Sequence, residues 1–184
     1  MLSGNEKDIQ FWKNKPFDQF VSFINANANA SKMYETTGET AADKQQLINK
    51  IIQQGDPVAA FNSVITQFRA RVVELEPLIA KDPECAYEYA KNVIKGRFPA
   101  GEKVIASNPK WAFYYARDVI QQRWPEGEKV IASNPKCAYL YAKYVIQQRW
   151  PEGEKAIASD PKCTKDYKEF LKSIDDRLIS KMLR

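Results

Sequence analysis

Residues 125–150 read PEGEKVIASNPKCAYLYAKYVIQQRW. Residues 99–124 read PAGEKVIASNPKWAFYYARDVIQQRW, and the two stretches differ at six of their 26 positions. A third copy opens at residues 151–163 with PEGEKAIASDPKC. Upstream, residues 73–98 (VELEPLIAKDPECAYEYAKNVIKGRF) keep the same register. Asp56-Pro57 precedes Asp82-Pro83, and Arg71 precedes Arg97, by that same interval, so residues 44–72 hold a degenerate earlier copy. Self-similarity at a short fixed period is the mark of stacked repeats.

Each copy is predicted to contain two helices. The second opens at Asn108-Pro109, Asn134-Pro135, Asp82-Pro83 or Asp160-Pro161. Asn or Asp caps free backbone N–H groups there, and proline suits the first helical position. Within it Ala112, Tyr115, Ala116, Val119 and Ile120 recur at the spacing of one helical face. The helix is expected to end near Arg123-Trp124, because Pro125 disfavours helical geometry before it. Pro125 then opens a short helix to about Ser133, with Glu126 and Glu128 at its positive end and Val130 and Ile131 as its apolar contact. A two-turn helix with so little apolar surface does not stand alone. The copies therefore stack, each on the next, as an all-α solenoid.

Both ends depart from the repeat. Over residues 161–184, Lys165, Lys168 and Lys172 take core-like positions, while Tyr167, Phe170, Leu171, Ile174, Leu178 and Met182 keep a three-to-four spacing. This predicts one C-terminal capping helix. Over residues 1–43, Ile9, Phe11 and Trp12 suggest one short helix, and Pro16 with Phe17, Phe20, Val21 and Ile24 another. Residues 26–43 are small, polar and aperiodic, which predicts a linker. The domain plan is thus an N-terminal helical arm and linker (1–43), a repeat domain (44–160) and the cap (161–184).

The pattern Ala-x-x-Tyr-Ala-x-x-Val-Ile-x-x-Arg-Trp-Pro-Glu-x-Glu, from Ala138 to Glu154, resembles short helical repeats in uncharacterised proteins of tailed bacteriophages. The resemblance covers residues 73–163. It implies a phage-encoded protein working in the cytoplasm of an infected bacterium, often against a host protein.

The 184 residues are 44% hydrophobic and 28% charged, which excludes a wholly disordered chain. No apolar run approaches a membrane span, and the N-terminus lacks a basic-then-apolar signal. The expectation is a cytoplasmic protein with no membrane partner. Histidine is absent, which removes the commonest general base and the commonest metal ligand. No phosphate-binding glycine loop, nucleophile elbow or kinase signature appears. Asp175-Asp176 and the pairs Glu126/Glu128 and Glu152/Glu154 sit at helix starts or on the cap, where helix polarity explains them. An enzyme, a cofactor and a metal site are therefore not expected. Cys85, Cys137 and Cys163 share one repeat position with Trp111 and read as packed thiols rather than zinc ligands or a disulfide.

Three ladders remain. Arg71, Arg97, Arg123 and Arg149 are each followed five residues later by Glu76, Glu102, Glu128 or Glu154. They form either a basic groove or a clip at each turn, and the private glutamate favours the clip. Phe98, Trp124 and Trp150 precede the turn prolines and serve either as base-stacking platforms or as plugs between turns. The outward face of the second helix is where copies differ. It carries Glu88, Tyr114 and Leu140 at one rung and Asn92, Asp118 and Tyr144 at another. Tyr114, Leu140 and Tyr144, with Arg117 and Lys143 at the rim, are the expected partner-binding residues of a non-enzymatic protein-binding scaffold. A nucleic-acid binder using Lys91, Arg117 and Lys143 with Lys103, Lys129 and Lys155 is the second expectation. Net charge is +5 but spread thinly, which weakens it. A virion or assembly component oligomerising through Phe11, Trp12, Phe17 and Phe20 is the third.

Overall fold

A computed structural model of the chain describes residues 41–182, and side chains to residue 176. The arm residues Ile9 to Ile24, and Leu178 and Met182 of the cap, lie outside the described residues or side chains. Among the described residues the fold is all-helical: α1 (Ala41–Gln54), α2 (Pro57–Ser63), α3 (Glu76–Ile79), α4 (Pro83–Tyr89), α5 (Pro99–Ile105), α6 (Pro109–Tyr115), α7 (Pro125–Ile131), α8 (Pro135–Tyr141), α9 (Pro151–Ile157) and α10 (Pro161–Met182). From α4 onward each second helix packs chiefly on the short first helix that follows it (α4 on α5, α6 on α7, α8 on α9), and second helices also contact their counterparts in the next turn. This is the expected repeat solenoid, closed at the C-terminal end by one long helix.

The proline-opened helices start where the sequence places them. Side chains of Asp56, Asp82, Asn108, Asn134 and Asp160 accept from the freed N–H groups of Val58, Cys85, Trp111, Cys137 and Cys163. Two boundaries differ from expectation. Residues 41–43, read as linker, already belong to α1. The second helices stop short of Arg123-Trp124: α6 gives way to a π-turn (Ala116–Ile120), and Gln121 takes a left-handed conformation at φ 58°. The Gln121 N–H donates to the Ala116 carbonyl at 2.8 Å, five residues back. Arg69 and Lys95 repeat this cap, and Gln147 takes the same left-handed conformation. The wider last turn and the left-handed residue reverse the chain before proline acts. Val119 and Ile120 are half-buried as a result, while Ala112, Tyr115 and Ala116 are fully buried.

One joint recurs at every turn. The Arg97 guanidinium grips Glu102 side-on through two hydrogen bonds of 2.8 Å. The Tyr115 hydroxyl donates to Glu102 at 2.9 Å and accepts from the Phe98 N–H at 2.8 Å. The Tyr115 ring then packs on Trp124 of the following turn, centroids 5.1 Å apart. Tyr89, Tyr141 and Tyr167 make the same hydroxyl bonds to Glu76, Glu128 and Glu154. The arginine ladder is thus a set of clips rather than a groove.

The pre-proline aromatics are plugs. Phe98, Trp124 and Trp150 are at most 2% exposed. Each ring lies on the glycine three residues later. A Cβ on Gly127 would stand 2.6 Å from Cζ3 of Trp124, and one on Gly101 2.8 Å from Cε1 of Phe98. In the first turn the same two positions hold Val72 and Leu75, both buried. Where the ring shrinks to valine, the glycine grows to leucine.

Candidate functional site

The expected binding residues sit on α6, α8 and the π-turns that extend them. The two turns present different chemistry, because the acid at position 118 becomes a tyrosine at 144.

In the α6 turn, Asp118 is a hub. It accepts from the Tyr87 hydroxyl of α4 at 2.6 Å, from Lys91 at 3.0 Å and from Nη2 of Arg117 at 2.9 Å. Burial alone pushes its carboxyl up. Hydrogen bonds from Arg117, Tyr87 and Lys91 together outweigh burial and bring it down to about 2. Lys91 and Arg117, two rungs of the expected basic ladder, are thus engaged by a carboxylate. Tyr114 is half-buried in an aromatic cluster, with ring centroids 6.0 Å from Tyr87, 5.8 Å from Trp111 and 5.3 Å from Phe113. The Arg117 guanidinium lies 4.8 Å from its ring centroid. This residue is a fixed platform rather than a free side chain.

In the α8 turn, Tyr144 is 50% exposed and Leu140 half-buried. Lys143 donates to the Tyr139 hydroxyl at 3.1 Å and lies 5.4 Å from the Tyr144 ring centroid. Its charge meets phenol oxygen and ring faces, and no carboxylate among the described residues pairs with it. The structure therefore unites Lys143 with Tyr144, and Arg117 with Tyr114, as two cation–aromatic pairs on successive turns. Tyr144 is the one of the three apolar candidates that is largely solvent-exposed.

Lys103, Lys129 and Lys155 are exposed on the first helices α5, α7 and α9, a different element from Lys91, Arg117 and Lys143. Cys85, Cys137 and Cys163 are buried free thiols, and burial pushes each thiol up. The residues that sequence reasoning missed are Tyr87 and Tyr139. Their periodicity placed them off the core stripe, yet they anchor Lys91 and Lys143. A Tyr-x-x-x-Lys spacing, four residues along one helix face, was the available signal.

Comparison of the chain with protein-family models, with curated proteins and with solved structures finds no match. No described helix is long and apolar enough to cross a membrane.

Proposed function

We propose that the chain is a non-enzymatic scaffold that binds a protein partner on the second-helix face at Tyr114, Leu140 and Tyr144, with Arg117 and Lys143 at the rim. The observation that carries this reading is the substitution of the Asp118 hub by Tyr144 one turn later. It leaves an exposed aromatic ring beside a lysine with no described carboxylate, on an element otherwise fixed by repeat packing. Aromatic side chains with a neighbouring cation are the typical anchors of protein interfaces. Resemblance to the phage repeats supports a phage-encoded protein that acts in the bacterial cytoplasm by binding a host or defence protein.

A nuclease-treated pull-down from bacterial lysate tests the proposal. One stoichiometric protein is expected, lost on Leu140→Lys with Tyr144→Lys while far-UV circular dichroism stays unchanged. Retained binding by the double variant refutes the site. Recovery that collapses with nuclease favours nucleic acid instead. That alternative, laid on Lys91, Arg117 and Lys143 with Lys103, Lys129 and Lys155, requires phosphates to displace Asp118 from Lys91 and Arg117.

A further inference from the structure

At the C-terminal end of the array lies an open groove of about 560 Å³. Ile157, Thr164, Tyr167, Leu171 and Ile174 line it, and its charged lining is Arg149, Glu154, Lys168 and Asp175. The repeat identifies what such a groove is. Tyr167 and Thr164 stand one period after Tyr141 and Ala138. In that preceding turn the Tyr141 ring packs on Trp150, centroids 4.9 Å apart, and Ala138 lies against Gly153, where an added Cβ would meet it at 3.3 Å. The groove is therefore the socket that in earlier turns receives the next aromatic–proline segment.

The described residues do not supply one. The position one period after Trp150 is Asp176, followed by Arg177 rather than proline, and α10 runs straight on to Met182. The Tyr167 hydroxyl is already engaged with the Trp150 N–H and Glu154, and that of Thr164 with the carbonyls of Asp160 and Ile157. What the socket leaves open is mainly apolar.

The charge at its rim narrows the occupant. Arg123 pairs with its own Glu128 and also reaches forward to Glu152, the residue after the proline of the next turn, at 3.5 Å. Arg149 makes the first contact, to Glu154, and its side chain is 68% exposed. Among the described residues α10 takes the place of a next turn for it to reach toward. The described aromatic–proline segments of a second copy are buried at Phe98, Trp124 and Trp150, so another molecule of this chain does not offer them.

We propose that this groove is a receptor for a partner-protein segment of the form aromatic–proline–acidic–glycine, which adds one further turn to the array. The aromatic ring enters over Leu171 and Ile174, with Tyr167, 5% exposed and already 6.2 Å from the Phe170 ring centroid, as the floor, and the acid meets Arg149. This site is separate from the second-helix face and does not depend on it.

The test titrates the intact chain into a fluorescein-labelled peptide, QQRWPEGE, the sequence of residues 147–154, and follows anisotropy. A saturable rise is expected, with a Kd between about 10 μM and 1 mM. Alanine in place of the peptide's tryptophan is expected to weaken binding at least about tenfold, and lysine in place of the glutamate after proline about threefold or more. Leu171→Asp and Ile174→Glu, both half-buried on a continuing helix, are each expected to abolish binding while circular dichroism is retained. Leu140→Lys is expected to leave it unchanged. Absence of saturation at millimolar concentration, equal binding of the alanine peptide, or indifference to both α10 variants overturns the proposal. So does a gain of peptide affinity on Trp12→Ala in the full chain, which would assign the socket to the chain's own N-terminal segment.

Discussion

Gly127→Ala opposes two forces of known size. Alanine favours a helix interior by about 0.5–1 kcal/mol over glycine. Its Cβ, however, would stand 2.6 Å from Cζ3 of Trp124 and closer still to Cε3. The indole cannot retreat: it is 1% exposed and packs on Tyr115, centroids 5.1 Å apart. Overpacking of a filled core costs about 1–3 kcal/mol. The repulsion wins, and a net loss of about 1–2 kcal/mol is expected. The first turn shows the remedy, since Val72 and Leu75 occupy these two positions together. Trp124→Val alone leaves a cavity and is expected to cost about 3–5 kcal/mol, as for other large-to-small core changes. Adding Gly127→Leu refills part of that space. The double variant is expected to be more stable than the sum of the single changes by at least about 1 kcal/mol. Urea denaturation followed by far-UV circular dichroism measures all four species of the cycle. A neutral or stabilising Gly127→Ala, or an additive cycle, refutes the argument that ring and glycine are chosen together.

Other joints give further expectations. Tyr141→Phe removes the acceptor for the Trp124 N–H and the donor to Glu128, and is expected to cost about 1–3 kcal/mol by the same denaturation measurement, because a buried N–H is left unpaired. Asp118 has its carboxyl held below the ordinary aspartate range, so its contribution is complete above about pH 4 and is lost as pH falls through about 2. Asp118→Asn is therefore expected to flatten the fall of stability across that acid window, read as denaturation midpoints against pH. Gln121 sits at φ 58°, where a non-glycine residue is strained by about 1–2 kcal/mol. Gln121→Gly is expected to raise the denaturation midpoint, and Gln121→Val to lower it.

Much of the fold is written in residues whose roles are local. Asn134-Pro135 and its equivalents announce a capped helix start, and each is used as one. Pairing of Arg97 with Glu102 is legible because both recur with a fixed offset. The π-turn and left-handed residue at the end of each second helix were not legible. Gln121 and Gln147 carry no glycine signal, and the reversal depends on Ala116 and Ala142 packing at zero exposure between neighbouring helices. The tyrosine joint was half legible. Tyr115 belongs to the apolar stripe, but its hydroxyl contacts lie 13 and 17 residues back, on Glu102 and Phe98. At the candidate face, spacing placed Tyr144 and Lys143 outside. It did not reveal that Tyr114 is clamped among Tyr87, Trp111 and Phe113, since that depends on how adjacent turns meet.

The sameness of the joints has a consequence for how such a chain changes length. Trp124-Pro125 and Trp150-Pro151 are interchangeable seams: each follows an arginine, and each precedes a glycine and a glutamate at the same distance. Excision of residues 125–150 would splice Trp124 to Pro151, let Arg123 grip Glu154, and set the Tyr167 hydroxyl beneath the Trp124 N–H. A shorter array of the same build would result, still ended by α10. The deleted segment carries Leu140, Lys143 and Tyr144 with it. Unequal crossing-over between near-identical copies can thus add or discard a recognition surface as a cassette, while the architecture is inherited intact.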